Sequence, residues 1–289
     1  MRVLITGAEG QIGRALVAAA PDMGEILATD RSSLDITSQT EVVRRLRDFR
    51  PDLILNAAGY TAVDQAEKEP EIARAVNQEG ARNVALASAE IGARLLHFST
   101  DYVFDGWKSR PYTPEDFPDP INAYGASKLA GERAVSALLG QRAAIIRTAW
   151  VYAANGHNFL RTMLRLLNER DEVTVVADQT GTPTSASSVA RATWSIAMRG
   201  DLSGILHWTD DGVATWYEFA EAIRREALAA GRLGRAARIL PVTSEEYAAP
   251  ASRPRYSVLD CSATRRSLGL IPEHWQAALR HTLRELDDA

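Results

Sequence analysis

The stretch Arg2-Val3-Leu4-Ile5-Thr6-Gly7-Ala8-Glu9-Gly10-Gln11-Ile12-Gly13 decides the fold. Arg2–Thr6 is a short apolar run of the kind that forms a buried strand. Three glycines then follow at every third position, and Gln11–Ala20 continues with helical periodicity. A strand, a glycine turn and a helix in that order create an anion site. Backbone N–H groups at the helix N-terminus face a pyrophosphate, and Gly7, Gly10 and Gly13 let the backbone approach it closely. A tight turn with no ligand is the other reading of the same residues.

Outward from that turn, strands and helices alternate. Glu25–Thr29, Asp52–Asn56, Arg94–Ser99 and Ala143–Val151 read as strands. Ser38–Phe49, a long stretch from Pro70 to Ile91, and Ala123–Leu139 read as helices. This order predicts a doubly wound parallel sheet of the Rossmann type, made by right-handed crossovers. Residues 1–152 form its dinucleotide-binding core. After about residue 152 the rhythm changes. Residues 153–289 read mainly as a smaller α/β substrate-binding lobe over the sheet's carboxyl edge, with some segments returning to the core. Helices at Phe159–Glu169, Ser187–Met198 and Tyr217–Ala230 and strands at Val173–Ala177 and Gly204–Thr209 fall there, with a turn-rich loop at Asp178–Thr184 and a loop-rich tail from Arg232 to Arg255.

Composition narrows the function. The 289 residues are 46% hydrophobic and 24% charged, too apolar for a disordered chain. A net charge of −4, with no basic run, argues against a nucleic-acid partner. No apolar run approaches the roughly 20 residues that span a bilayer, and the start breaks at Gly7 too early for a signal peptide. The single cysteine, Cys261, excludes an internal disulfide and fits a reducing cytoplasm. No His/Asp/Glu cluster has metal-ligand spacing.

Asp30 ends the second strand about 20 residues past the loop, where a carboxylate accepts from both hydroxyls of an adenosine ribose. Arg31 beside it can pair with a 2′-phosphate, which leaves NADH and NADPH both open. Asp35-Ile36 in the next loop can reach an adenine, or simply form a turn. The small residues Asn56-Ala57-Ala58-Gly59 leave room for a flat cofactor on the strand ends.

Tyr124-Gly125-Ala126-Ser127-Lys128 places a phenol and an ammonium at i and i+4, on one face of a helix. The chain has only three lysines, so the pairing is informative. A cation one turn away favours the phenolate and is expected to bring the tyrosine pKa down toward the working range. Ser99-Thr100-Asp101 ends the fourth strand at the same edge. A hydroxyl there can hold a carbonyl oxygen beside the phenol, and Asp101 can bind a sugar hydroxyl. Arg253, in a Pro-bounded loop, is the candidate for a substrate phosphate.

These motifs together resemble the extended short-chain dehydrogenases/reductases, and within them the dTDP-4-dehydrorhamnose reductase family. The matching stretches are the glycine loop Gly7–Gly13, Asn56-Ala57-Ala58-Gly59-Tyr60-Thr61-Ala62-Val63-Asp64, Ser99-Thr100-Asp101-Tyr102-Val103-Phe104-Asp105-Gly106 and Tyr124-Gly125-Ala126-Ser127-Lys128-Leu129-Ala130-Gly131-Glu132. Arg147-Thr148-Ala149-Trp150-Val151-Tyr152, Asn158-Phe159, Asp178–Thr184 and Ala251-Ser252-Arg253-Pro254 also fit, so nearly the whole chain is covered.

The resemblance implies NAD(P)H-dependent reduction of the 4-keto group of dTDP-4-dehydro-β-L-rhamnose. Tyr124 would be the proton donor, Lys128 would tune it and hold the nicotinamide ribose, and Thr100 would complete a triad. Gly10, Gln11, Ile12, Asp30, Asp35, Ile36, Gly59, Tyr60 and Thr61 match cofactor-contacting positions. Thr100, Asp101 and Trp150 match sugar contacts, where an indole face suits a deoxysugar methyl. The resemblance also admits Mg²⁺ and a homodimer, but a metal-ligand position of the family is Ala15 here. Monomer and homodimer both stay open. The competing readings are a nucleotide-sugar epimerase or dehydratase, and a non-catalytic cofactor-binding regulatory subunit.

Overall fold

The computed structural model describes residues 1–22 and 24–286. Six strands, β1 (Arg2–Thr6), β2 (Glu25–Thr29), β3 (Leu53–Asn56), β4 (Arg94–Thr100), β5 (Ala143–Thr148) and β6 (Gly204–His207), form one sheet in the order β6-β5-β4-β3-β1-β2. Every neighbouring pair is parallel. Both faces are covered, which is why these strands are continuous apolar runs rather than alternating ones. On one face Leu96, Phe98 and Ile146 pack against Leu16 of helix Gln11–Ala18 and Val189 and Trp194 of helix Ala186–Arg199. On the other, Leu4, Ile54 and Leu95 pack against Leu46 of Gln39–Phe49, Val84 of Ala81–Ile91 and Val135 of Ala123–Leu139.

Strand order reverses between β1 and β3, so a crevice opens beyond their carboxyl ends. The glycine loop lies there. Gly7 has φ 66°, and a Cβ on it would fall 2.6 Å from the Ala58 backbone. A Cβ on Gly13 would fall 2.1 Å from the Gly7 carbonyl oxygen. The two loops at the crevice therefore touch through backbone at Gly7, where a side chain would separate them, while a side chain at Gly13 would push the helix start off the glycine turn itself.

A second core lies in the lobe. Leu160, Leu167, Val173, Phe219, Ile223, Ile239, Trp275 and Leu279 pack together there. They come from helices Phe159–Glu169, Trp216–Ala229 and Trp275–Glu285 and from the parallel pair Glu172–Val176 and Arg238–Val242. Arg238–Val242 falls inside the tail that the sequence reads as loop-rich. Only Ile239 of its five residues is buried, and Pro241 suits a strand that leaves one side unpaired. Helix Ala186–Arg199 and β6, whose sequence neighbours build the lobe, lie instead on and in the large sheet.

Three further differences from the sequence pattern are local. The strand expected over Ala143–Val151 stops at Thr148, because Trp150 takes φ 47° and turns the chain. Val151–Tyr152 then pairs with Thr184–Ser185, and Thr180–Gly181 with Ala214–Thr215, so the turn-rich loop supplies two short β pairings. The long helical stretch from Pro70 is interrupted by a π-turn at Ala75–Gly80. Among the described residues, no helix is long and apolar enough to cross a membrane.

Helix Ala123–Leu139 lies unusually close to its neighbours. A Cβ on Gly125 would fall 2.1 Å from the Tyr102 carbonyl oxygen, and one on Gly131 2.2 Å from the Asn77 carbonyl oxygen. Gly125→Ala should therefore push the helix outward and lower the unfolding free energy by about 1–3 kcal/mol. Urea unfolding monitored by circular dichroism measures this, and an unchanged midpoint would show that the approach is not constrained.

Candidate active site

Asn122 fixes where the central helix begins. Its Oδ1 accepts from the Gly125 N–H at 2.7 Å, and its Nδ2 donates to the Ser252 carbonyl at 2.8 Å. The cap thus ties the helix start to the lobe's last loop and sets Tyr124 in the first turn. One turn on, Lys128 Nζ donates to the Phe98 carbonyl of β4 at 2.5 Å. Tyr124 and Lys128 are 8% and 5% exposed. Thr100 closes β4. Its Oγ1 accepts from the Tyr102 N–H at 3.1 Å and donates to Asp101 Oδ1 at 3.0 Å, and Thr100 lines the same cleft as Tyr124. The structure brings Thr100, Tyr124 and Lys128 together.

The electrostatics correct one expectation. The sequence predicts that Lys128 pulls the phenol toward a lower pKa. Burial instead pushes Tyr124 up to about 12, with Thr100 opposing the rise and Asp101 adding to it. Burial also lowers Lys128 to about 8, against the pull of Glu132. Desolvation is the largest cause of both shifts, and neither group figures among the causes of the other's. The phenol is protonated near neutral pH, which is the form that can give up a proton.

A cleft of about 1260 Å³ runs from the glycine loop to the lobe. Gly10, Gln11, Ile12, Gly59, Thr61, Thr100, Asp101, Tyr124, Lys128, Trp150 and Arg253 line it. Five lining residues hold buried polar atoms with no protein partner: Gln11 Oε1, Ser99 Oγ, Asp101 Oδ2, Thr148 Oγ1 and Trp150 Nε1. Unpaired buried polar atoms gathered in one cleft are what a polar ligand satisfies. With the backbone cradle of Gly7 and Gly13, they fit a dinucleotide and a second polar ligand.

Other predicted residues lie outside that lining. Asp30 follows β2, and its Oδ1 accepts from Ser32 Oγ at 2.8 Å, Ser33 N at 2.9 Å and Ser33 Oγ at 2.7 Å. These bonds hold the carboxyl down at about 2, so it is ionised. Asp35 Oδ1 accepts from both the N–H and the hydroxyl of Thr37, a local turn. The Ile36 side chain is committed to the core beneath Gly80, where a Cβ would meet it at 2.7 Å. Tyr60 is held through its backbone by Asn77.

Asn77 went unread in the sequence. Its Oδ1 accepts from the Tyr60 N–H at 2.8 Å, and its Nδ2 donates to the Tyr60 carbonyl at 3.0 Å and to Ser127 Oγ at 2.9 Å. One buried carboxamide in the π-turn therefore joins the Gly59–Thr61 loop to the Tyr-x-x-x-Lys helix. The available signal was its place on a buried helical face, with Ala73, Gly80, Ala81 and Val84. Trp216 also went unread. It stacks on Trp150 with centroids 3.6 Å apart and planes 7° from parallel. Gly181 presses on the same indole, and a Cβ there would fall 2.5 Å from it. Arg253, offered by the sequence to a phosphate, is paired bidentately with Asp64 at 2.8 and 2.9 Å. An anion reaching it meets a neutralised pair.

Magnesium does not fit. Ala15 packs against the core cluster, and no group of three His, Cys, Asp or Glu among the described residues could hold a metal ion.

A glycine loop at the switch point of a doubly wound sheet, with a buried Tyr-x-x-x-Lys pair beside the hydroxyl that ends β4, defines an extended short-chain dehydrogenase/reductase. The family model of the RmlD substrate binding domain matches residues 1–288. A dTDP-4-dehydrorhamnose reductase from Burkholderia thailandensis is 42% identical, covering 99% of each chain. The Bacillus anthracis dTDP-4-dehydrorhamnose reductase, solved in complex with NADP, is 40% identical with a TM-score of 0.92, covering 98% of this chain and 99% of its own. The Clostridium acetobutylicum ortholog has a TM-score of 0.93 at 38% identity, covering 99% and 100%. The chain belongs to the dTDP-4-dehydrorhamnose reductase family.

Asn77→Ala should leave the Tyr60 N–H and carbonyl unpaired and lower stability by about 1–3 kcal/mol. Asn77→Asp keeps the acceptor for Tyr60 but loses both donors. Equilibrium unfolding of the two variants checks the order, and a silent Asn77→Ala would remove the proposed bridge.

Proposed function

We propose that the protein reduces the 4-keto group of dTDP-4-dehydro-β-L-rhamnose with NADPH or NADH, yielding dTDP-β-L-rhamnose. The observation that carries this reading is the gathering of Thr100, Tyr124 and the buried Lys128 along one cleft at the carboxyl end of β4. Membership of the family supports it, as does the NADP held by the Bacillus anthracis relative.

The glycine loop and the Gln11-Ile12 helix start receive the pyrophosphate. Asp30 keeps Oδ2 for the adenosine ribose, since only Oδ1 is taken by its turn. Gly59 and Thr61 line the same groove with Tyr60 held between them by Asn77, and the Asp35-Ile36 turn, whose Ile36 side chain stays in the core, offers its backbone to the adenine end. Lys128 reaches the nicotinamide ribose. A reduced nicotinamide bound there supplies the hydride. Tyr124 gives its proton to the developing alkoxide, Thr100 orients the keto oxygen, and the Lys128 charge steadies the phenolate left behind. Asp101 meets a sugar hydroxyl, and the stacked Trp150–Trp216 pair offers a flat wall to the deoxysugar. Thr100-Asp101 is followed by Tyr102 rather than a second carboxylate, which leaves water elimination without its acid–base pair.

NAD(P)H oxidation, followed with and without the keto-sugar, tests the reading. Sugar-dependent oxidation supports it, and oxidation indifferent to the sugar would sink it. Tyr124→Phe should lower kcat by roughly 10²–10⁴-fold while NAD(P)H affinity changes little. Near-wild-type turnover in the folded variant would remove Tyr124 as the proton donor. Asp30 repels a 2′-phosphate, which Arg31 can offset. Asp30→Ala should therefore narrow any preference for NADH, measured as the ratio of kcat/KM for the two cofactors.

A further inference from the structure

A side chain at Gly181 would meet one neighbour. A Cβ there would lie 2.5 Å from Trp150 Cε2, 2.7 Å from Cζ2 and 2.7 Å from Nε1, and these three indole atoms are the nearest to it. The backbone does not itself call for glycine, since Gly181 is not in the positive-φ region. It sits in the short strand Thr180–Gly181, paired with Ala214–Thr215. Glycine weakens a strand, and in one it marks a place where another group must come close. That group is the Trp150 ring.

Three other features fix the ring. Trp150 takes φ 47°, a conformation that strains a bulky residue and persists only where its surroundings impose it. Its carbonyl accepts from the Thr184 N–H at 3.2 Å. Its indole stacks on Trp216 with centroids 3.6 Å apart. The pairing of Gly181 with Ala214 brings that partner into place, because Trp216 follows two residues on and opens its helix. Trp150 and Trp216 both line the cleft, whereas the buried Gly181 does not. The indole thus stands between Gly181 and the cleft. Two rings stacked at 3.6 Å have no slack between them, so an indole pushed off Gly181 moves toward the open side.

We propose that Gly181 is a positioning residue of the sugar site, setting through the Trp150 indole how much of the cleft is left to the sugar ring. This role rests on the reductase reading above. With no side chain behind it, the indole lies back against main chain and presents a recessed, flat wall to the apolar face of a deoxysugar. The groove for the cofactor is built on other elements, the glycine loop and the Gly59–Thr61 loop, so the effect is confined to the sugar.

A double-mutant cycle between Gly181→Ala and Trp150→Leu tests this. Gly181→Ala alone should raise KM for the keto-sugar by about tenfold, with a smaller fall in kcat. NADPH affinity, titrated by its fluorescence, should stay within about twofold of wild type. Trp150→Leu raises KM on its own, but it deletes all three atoms that the new methyl would strike. On that background the alanine should change KM by less than about twofold. An equal cost on both backgrounds would show that the glycine acts through something other than the indole, and overturns the proposal. So does an NADPH affinity that falls in step with the rise in KM.

A spectroscopic readout needs no ligand. Trp150 and Trp216 are the one pair of tryptophans that stack among the described residues, so their exciton couplet in circular dichroism reports the ring geometry. Gly181→Ala should alter that couplet, and an unaltered couplet sinks the displacement. Where Gly181→Ala alone fails to fold, the double variant decides. It should fold as well as Trp150→Leu, and failure of both Gly181→Ala proteins would place the obstacle outside the indole. Wild-type protein inactive toward the keto-sugar removes the reductase reading itself. Active wild type with an unmoved KM in folded Gly181→Ala removes the positioning role alone.

Discussion

Everything in the site depends on how closely helix Ala123–Leu139 lies against the backbone around it. At Gly125 it touches the turn after β4, and at Gly131 it touches the π-turn. Those two approaches leave no clearance for a side chain, so the helix has one position. Tyr124 is then set on the cleft that Thr100 also lines, and Lys128 reaches the Phe98 carbonyl. The Asn122 cap and the Asn77 carboxamide add direction to that position, one from the lobe's last loop and one from the Tyr60 loop. Precision in the reacting groups comes here from main-chain contact, which is less compliant than side-chain packing.

The same closeness sets the charge states. A buried phenol and a buried ammonium each shift toward their neutral forms, Tyr124 upward and Lys128 downward. Asp101 shifts the same way. Three titratable groups within one cluster are thus all biased toward neutrality by exclusion of water, and none finds a full counter-charge. That is the pattern of a site meant to develop charge during a reaction rather than hold it at rest.

The parallel sheet was legible because each strand is a continuous apolar run between helical segments, and burial on both faces demands that pattern. The Tyr-x-x-x-Lys pair and the Thr100 hydroxyl were legible because helix periodicity and strand termination place them without tertiary knowledge. Other features were not. Arg238–Val242 is a short apolar run, but Pro241 and the Gly- and Arg-rich residues around it read as loop. Asn77 acts through two backbone groups and a serine that are distant in sequence. The direction of the Tyr124 shift depends on burial, which spacing does not report. The Asp64 partner of Arg253 lies 189 residues away, and nothing local marks it.

The sheet is finished by a strand that arrives late. β5 ends at Thr148, and its outer neighbour β6 begins only at Gly204. Between them the chain contributes Phe159–Glu169 and Glu172–Val176 to the other core. During synthesis the apolar edge Ala143-Ala144-Ile145-Ile146 therefore emerges without the strand that pairs with it. An unpaired parallel edge is a template for misassembly between nascent chains. The fold thus carries a vulnerable interval on the ribosome, which ends once Gly204–His207 has emerged and docked.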